Sequence, residues 1–122
     1  MSKKIEVTVT YIDVVDIKIV FDDTPETQKK CHEINNFWGG SKNRLEDVDN
    51  CIYKCVSRLI GNEIIRLHMK SSFYCGVNAA IKAFNEGIEG FPSIDGQYGI
   101  KLEYCDDFEL SDLDVDFSVK EK

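Results

Sequence analysis

An α+β two-layer sandwich is the fold class this sequence predicts, and three observations predict it. Apolar and polar residues alternate near both ends of the chain with the period of two that marks half-buried strands. Between those ends, apolar residues recur at spacings of three and four, the period of amphipathic helices. Glycine, proline, asparagine and aspartate punctuate the joints. The resulting order is ββαααββ. An N-terminal and a C-terminal hairpin then share one four-stranded antiparallel sheet, with the helices packed on one face. The 122 residues and 13.9 kDa fit a single domain over residues 1–122. A chain of this size buries roughly two-thirds of its unfolded surface, so it needs no metal or disulfide staple.

Each element has its own signal. Ile5, Val7, Val9 and Tyr11 share one face of the first strand, and Glu6, Thr8 and Thr10 the other. Val15, Ile17, Ile19 and Phe21 repeat the pattern against Asp16 and Lys18, and the break at Ile12-Asp13-Val14 predicts a hairpin turn. Asp23-Thr24-Pro25-Glu26 is a helix start: Thr24 caps, Pro25 suits the first helical position, and Glu26 meets the positive dipole end. Ile34, Phe37 and Trp38 fall on one side of that helix with Cys31 one turn earlier, and Gly39-Gly40-Ser41 ends it. Trp38 is expected to pack into the core at the helix end. Leu45, Val48, Ile52, Val56, Leu59, Ile60, Ile64 and Leu67 form one continuous apolar stripe and predict one long helix. Gly61 interrupts it at about 1 kcal/mol relative to alanine and allows close packing against a neighbour. Val77, Ala80, Ile81 and Phe84 predict a third helix, followed by a loop from Gly87 to Gly96. Ile100, Leu102 and Tyr104 alternate with Lys101 and Glu103 as a third strand. Leu113, Val115, Phe117 and Val119 alternate with Asp112, Asp114, Asp116 and Ser118 as a fourth.

The formal charge of −7 argues against direct nucleic-acid binding, which calls for a basic face. The charge is uneven. Residues 101–122 hold eight acids against three bases, so most of the excess sits in the last fifth of the chain. No run approaches the ~20 apolar residues that span a bilayer, and no secretory h-region follows Lys3 and Lys4. The expectation is a cytoplasmic protein with no membrane contact. Cys31, Cys51, Cys55, Cys75 and Cys105 are then reduced thiols rather than disulfides.

Little in the sequence carries catalytic chemistry. Cys51 and Cys55 lie one helical turn apart, but the remaining metal-ligand candidates, His32, His68, Cys31 and Cys75, are scattered and form no close pair. No metal site and no cofactor are expected. A Cys–His nucleophilic pair lacks the electropositive setting that a reactive thiol needs. Asp22-Asp23, Glu46-Asp47 and Asp106-Asp107 lie at element boundaries, where acids solvate turns and cap helices. The glycines at 87, 90, 96 and 99 make no dinucleotide fingerprint. The expectation is a protein that is not an enzyme.

Two short segments resemble a known family. Glu33-Ile34-Asn35-Asn36-Phe37-Trp38 with Arg44-Leu45, and Gly90-Phe91-Pro92-Ser93-Ile94-Asp95-Gly96 with Gly99-Ile100, are similar to segments of a small domain family of unknown function, of the domain-of-unknown-function-2528 type, carried by phages, prophages and their hosts. Tryptophan commonly stands at the position of Phe91. The cysteines and the acidic last strands depart from the family pattern. The resemblance brings no catalytic residue. It implies a setting, that of a mobile-element accessory protein inside a bacterial cell.

The most unusual local feature is acidic. Between Lys101 and Lys120 stand Glu103, Asp106, Asp107, Glu109, Asp112, Asp114 and Asp116, with no base. Along a strand, alternate carboxylates lie about 6.5–7 Å apart, close to phosphate spacing on a nucleic acid. Charges on an edge strand also keep one sheet from adding to another. The leading expectation is a stoichiometric binder of a host or defence protein with a basic surface, in the manner of an anti-CRISPR inhibitor, with those seven acids as the site. A structural or self-associating module, paired as a homodimer through sheet edges, is the second. A small thiol enzyme is the third.

Overall fold

The computed structural model describes residues 3–11, 15–71 and 77–105. Strands β1 (Lys3–Tyr11) and β2 (Val15–Asp23) pair antiparallel without interruption, from Lys3 opposite Asp23 to Tyr11 opposite Val15. This is the predicted N-terminal hairpin, and its turn at residues 12–14 lies outside the described residues. Strand β3 (Ile100–Cys105) pairs antiparallel with β2, so β2 is central in the order β1-β2-β3. The sheet therefore has three strands among the described residues, not the expected four. The fourth strand, expected over Leu113 to Val119, lies outside them.

The helical layer also departs from ββαααββ. Among the described residues, four helices separate β2 from β3: α1 (Pro25–Phe37), α2 (Ser41–Glu46), α3 (Ile52–Ser71) and α4 (Val77–Glu86). The start of α1 follows the sequence signal. Thr24 Oγ1 accepts from Thr27 N at 3.1 Å, Pro25 takes the first position, and Glu26 sits in the first turn. The single helix expected from Leu45 onward is in fact two. Asp49 and Asn50 adopt left-handed backbone, with φ of 57° and 62°. Aspartate and asparagine are among the residues that tolerate this conformation, so two in succession end α2 where the apolar period runs on. Asn50 N donates back to Leu45 O at 2.9 Å, closing the turn. Leu45 and Val48 still pack against the core. The stripe is thus continuous in space although the helix is not.

The core lies between the sheet and the helices. From β2, Ile17, Ile19 and Phe21 are fully buried; from the helices come Cys31, Ile34, Val56, Ile60, Ile64, Ala80 and Phe84. Ile100 and Leu102 of β3 join them, with Ile94 from the loop before it. The strict alternation read for β3 fails after Leu102. The pairing register shifts between Lys18 and Ile19, so β3 carries one extra residue there. Glu103 and Tyr104 both point away from the core, Tyr104 is 44% exposed, and Cys105 takes the inward position at 6%. Tyr104 instead lies beneath Lys18, whose Nζ is 5.8 Å from its ring centre.

Two tyrosines fasten sheet to helix. Tyr53 on α3 donates to Asp23 Oδ1 at 2.7 Å, and burial first, then this bond, pushes its hydroxyl up to about 12. Tyr11 on β1 donates to Asn62 Oδ1 at 2.7 Å directly across Gly61. A Cβ at Gly61 would meet the Tyr11 hydroxyl at 2.5 Å, which is why glycine interrupts the best helix of the chain. Gly61→Ala is therefore expected to destabilise the protein although alanine favours a helix by about 1 kcal/mol. In a Tyr11→Phe background the same change should cost less or become favourable. Urea melts of the four proteins give the coupling, and additive effects would refute the contact.

Candidate functional site

The acidic run expected as the site is described at one position only. Glu103 is exposed on β3 at the bulge. Asp106, Asp107, Glu109, Asp112, Asp114 and Asp116 lie outside the described residues. Around Glu103 the surface is mixed rather than acidic. It lines a recess of about 330 Å³ with Lys4, Lys101 and Asp22, and the Lys4 ammonium contacts the Asp22 carboxylate.

A larger cleft lies elsewhere, between α1, the end of α4 and the loop that leads into β3. It measures about 500 Å³ and is lined by Lys30, Glu33, Ile34 and Phe37 of α1, Phe84 and Asn85 of α4, and loop residues that include Phe91, Pro92 and Tyr98. It forms where the two segments of the family resemblance meet. A Cβ at Gly90 would stand 2.6 Å from Phe37 and 2.8 Å from Trp38, so the second segment packs directly against the first. The aromatic rings continue this contact. Trp38 sits 4.9 Å from Phe37 and 5.7 Å from Phe91, and Phe91 sits 5.4 Å from Phe84. Trp38 thus packs at the helix end, but it is only partly buried and lies against Phe37, Phe91 and Gly90 rather than in the core as expected. Its indole nitrogen is buried and lacks a hydrogen-bond partner, a cost of about 1–3 kcal/mol that the ring contacts must offset.

Two residues stand at the mouth of the cleft: Phe37, expected on the apolar side of the first helix with Ile34 and Trp38, and Tyr98, given no role from sequence. Phe37 is 50% exposed and Tyr98 46%. Phe37 follows Ile34 at core spacing, but it is the last residue of α1. Its place at the end of the helical pattern, just before Trp38 and Gly39-Gly40, was the available signal. Tyr98, between Gln97 and Gly99 in a polar turn, was the other. Lys30 joins the two sides: its Nζ lies 5.2 Å from the Tyr98 ring centre and 3.5 Å from Glu33 Oε1. On the loop side, residues 83–100 carry Glu86, Glu89 and Asp95 and no base.

The helix end that presents Phe37 and Trp38 is held by Arg44. Its Nε donates to Asn35 Oδ1 at 2.8 Å, Nη1 to Gly39 O at 3.0 Å, and Nη2 to Asn35 O and Trp38 O at 3.0 and 3.1 Å. One guanidinium thus satisfies carbonyls that α1 leaves open at its C-terminus.

The thiols are placed for packing. Cys31, Cys55 and Cys105 are buried and Cys51 is partly so. Burial, with the neighbouring Cys55, pushes Cys31 up to about 12; burial also raises Cys55. No cluster of three His, Cys, Asp or Glu side chains able to hold a metal occurs among the described residues. No helix there is long and apolar enough to cross a membrane.

Two outcomes follow. Arg44→Ala should lower the unfolding free energy by about 2–4 kcal/mol, and Arg44→Lys should recover only part, since an ammonium cannot span the fork. A lysine variant as stable as wild type in urea would refute the multidentate role. Alkylation at pH 8 should modify Cys31 and Cys55 no faster than the chain opens, because both are fully buried and a Cys31 thiol at about 12 is roughly one part in ten thousand thiolate there. Labelling of either within minutes in the folded protein would contradict this.

Comparison with known proteins places the molecule. Two curated relatives are each 25% identical over 114 residues, covering 85% of this chain and 85% of their own: protein ea10 of Escherichia phage lambda and a lambda prophage-derived protein ea10 of Escherichia coli O6:H1, strain CFT073. No solved structure matches. The model of a family described as protein of unknown function (DUF2528) matches residues 14–117. That match spans both cleft-forming segments and most of the chain, which therefore belongs to the DUF2528 family and is a phage-associated protein.

Proposed function

We propose that this phage protein acts stoichiometrically, by binding a host or defence protein with a basic surface, and that it catalyses no reaction. One observation carries the reading: Phe37 and Tyr98, two large aromatics, stand half exposed at the mouth of the same cleft. Aromatic side chains beside a preformed recess are the usual anchors of a protein interface. The chain's −7 charge and the segment of residues 83–100, which carries acids and no base, suit a basic partner. The narrower form is an anti-CRISPR-like inhibitor that occupies a nucleic-acid groove. There Glu103, Asp106, Asp107, Glu109, Asp112, Asp114 and Asp116 replace phosphates while the aromatics anchor. The setting is the cytoplasm of the bacterial host.

Affinity capture from a bacterial lysate at low salt tests this. The baits are wild type, Phe37→Ala with Tyr98→Ala, and Asp112→Asn with Asp114→Asn and Asp116→Asn. Wild type should retain a specific host protein that falls away as salt rises. The aromatic variant should weaken capture at least about tenfold while keeping its melting temperature within a few degrees. Loss with the Asn variant as well would support the phosphate-mimic form. Equal capture by all three baits would sink the reading.

A further inference from the structure

The two long edges of the described sheet are treated differently by the fold. The outer side of β3 is covered at its start by the preceding loop, where Leu102 N donates to Ile94 O at 3.0 Å and Gly96 N to Ile100 O at 2.9 Å. The outer side of β1 has no strand partner among the described residues. It runs for nine residues without proline or a bulge, and the charges it carries, Lys3, Lys4 and Glu6, are of both signs, so they block an arbitrary strand but can complement one set register. Its inward row is also unfinished. Ile17, Ile19 and Phe21 of β2 are fully buried beneath the helices, whereas Ile5, Val7 and Val9 of β1 are only half-buried.

We infer that β1 pairs antiparallel with β1 of a second copy of this chain, about a two-fold axis at Ile5, so that Lys4 of each copy meets Glu6 of the other. Charge selects this register. An axis between two residues would set the inward row of one copy against the outward row of its mate, which the period of two forbids. An axis at Glu6 would face Glu6 with Glu6. An axis at Val7 would set Lys4 against Thr10 and Glu6 against Thr8, leaving both charges opposite neutral groups. The axis at Ile5 places Lys4 opposite Glu6 twice, Lys3 opposite Val7, and Ile5 against itself in the inward row. Such an axis keeps both helical layers on one face and makes the interface isologous. Glu6 is exposed and has no ion-pair partner among the described residues. Lys4 contacts Asp22 but its side chain is two-thirds exposed, and an ammonium keeps further donors. The cleft and the acidic run take no part, so this inference and the proposed function stand or fall separately.

Sedimentation equilibrium over a range of protein concentrations tests it with four proteins: wild type, Lys4→Glu, Glu6→Lys and the double variant. Wild type should show a monomer–dimer equilibrium. Each single variant sets like charges opposite each other twice and should raise the dissociation constant tenfold or more. An equimolar mixture of the two single variants should regain the dimer, since each copy then offers the charge the other lacks. The double variant should regain it alone. Circular dichroism melts check that Lys4→Glu, which also loses its Asp22 contact, remains folded; if it does not, wild type and Glu6→Lys decide, because the double variant carries the same loss. A wild type that stays monomeric at the highest concentration would overturn the inference. So would a dimer indifferent to the single variants, or a mixture and double variant that fail to recover it.

Discussion

The contact on which the candidate site depends is the Arg44 guanidinium at the end of α1. A helix C-terminus leaves carbonyls without partners and carries partial negative charge, so a cation there gains both hydrogen bonds and a favourable field. Arg44 reaches Asn35 O, Trp38 O and Gly39 O, and also Asn35 Oδ1. Asn35 is itself 2% exposed and could not be buried unpaired. Its Nδ2 donates to Ser41 O at 3.2 Å at the start of α2, and its Oδ1 accepts from the Cys55 thiol of α3 at 3.3 Å. Three helices thus converge on one amide and one guanidinium. Because α1 stops there, Phe37 and Trp38 stand where the Gly90 loop can close against them. The cleft follows from that stop.

The parts of the fold legible in the sequence are those where one local rule acts alone. The first hairpin shows a period of two over both strands, and the start of α1 concentrates a cap, a proline and an acid within three residues. Gly61 was legible as a close approach, though not that Tyr11 would be the neighbour. The failures share a cause. At Asp49 and Asn50 the apolar period continues through a break in the backbone, and periodicity reports which side a residue faces rather than whether the helix is unbroken. At the β3 bulge one extra residue moves Tyr104 outward and Cys105 inward, and nothing in Ile100–Cys105 marks the insertion. Both features are settled by the partner element, Leu45 and Val48 against the core in one case and β2 in the other.

The site was less legible than the fold for a related reason. The acidic run is visible because it is contiguous in sequence. The cleft is assembled from α1, α4 and a loop more than fifty residues downstream of α1, and its aromatics look like core until burial is known. The resemblance pointed at both segments without saying why they belong together. Their contact supplies the reason: Gly90 must lack a side chain for Phe37 and Trp38 to lie over it. Gly99 lies against Thr27 in the same way, so the far end of the loop docks on the first turn of α1.

That loop shapes both the cleft and one edge of the sheet. Gly90, Gly96 and Gly99 all take positive φ, at 88°, 104° and 81°, where a side chain would be strained. With those bends the segment from Ile88 to Gly99 lies along α1, closes the cleft with Phe91 and Tyr98, and turns back to hydrogen-bond the outer side of β3 at Ile94 and Gly96. One loop therefore builds a recess and covers part of a sheet edge. Nothing comparable among the described residues reaches β1, which lies on the far side of β2. Its inward row stays half-covered because α3 crosses it without a flanking strand to complete the layer. The proposed cleft surface and the proposed β1 surface therefore share no residue. A partner in the cleft and a second copy on β1 then need not compete for the same residues.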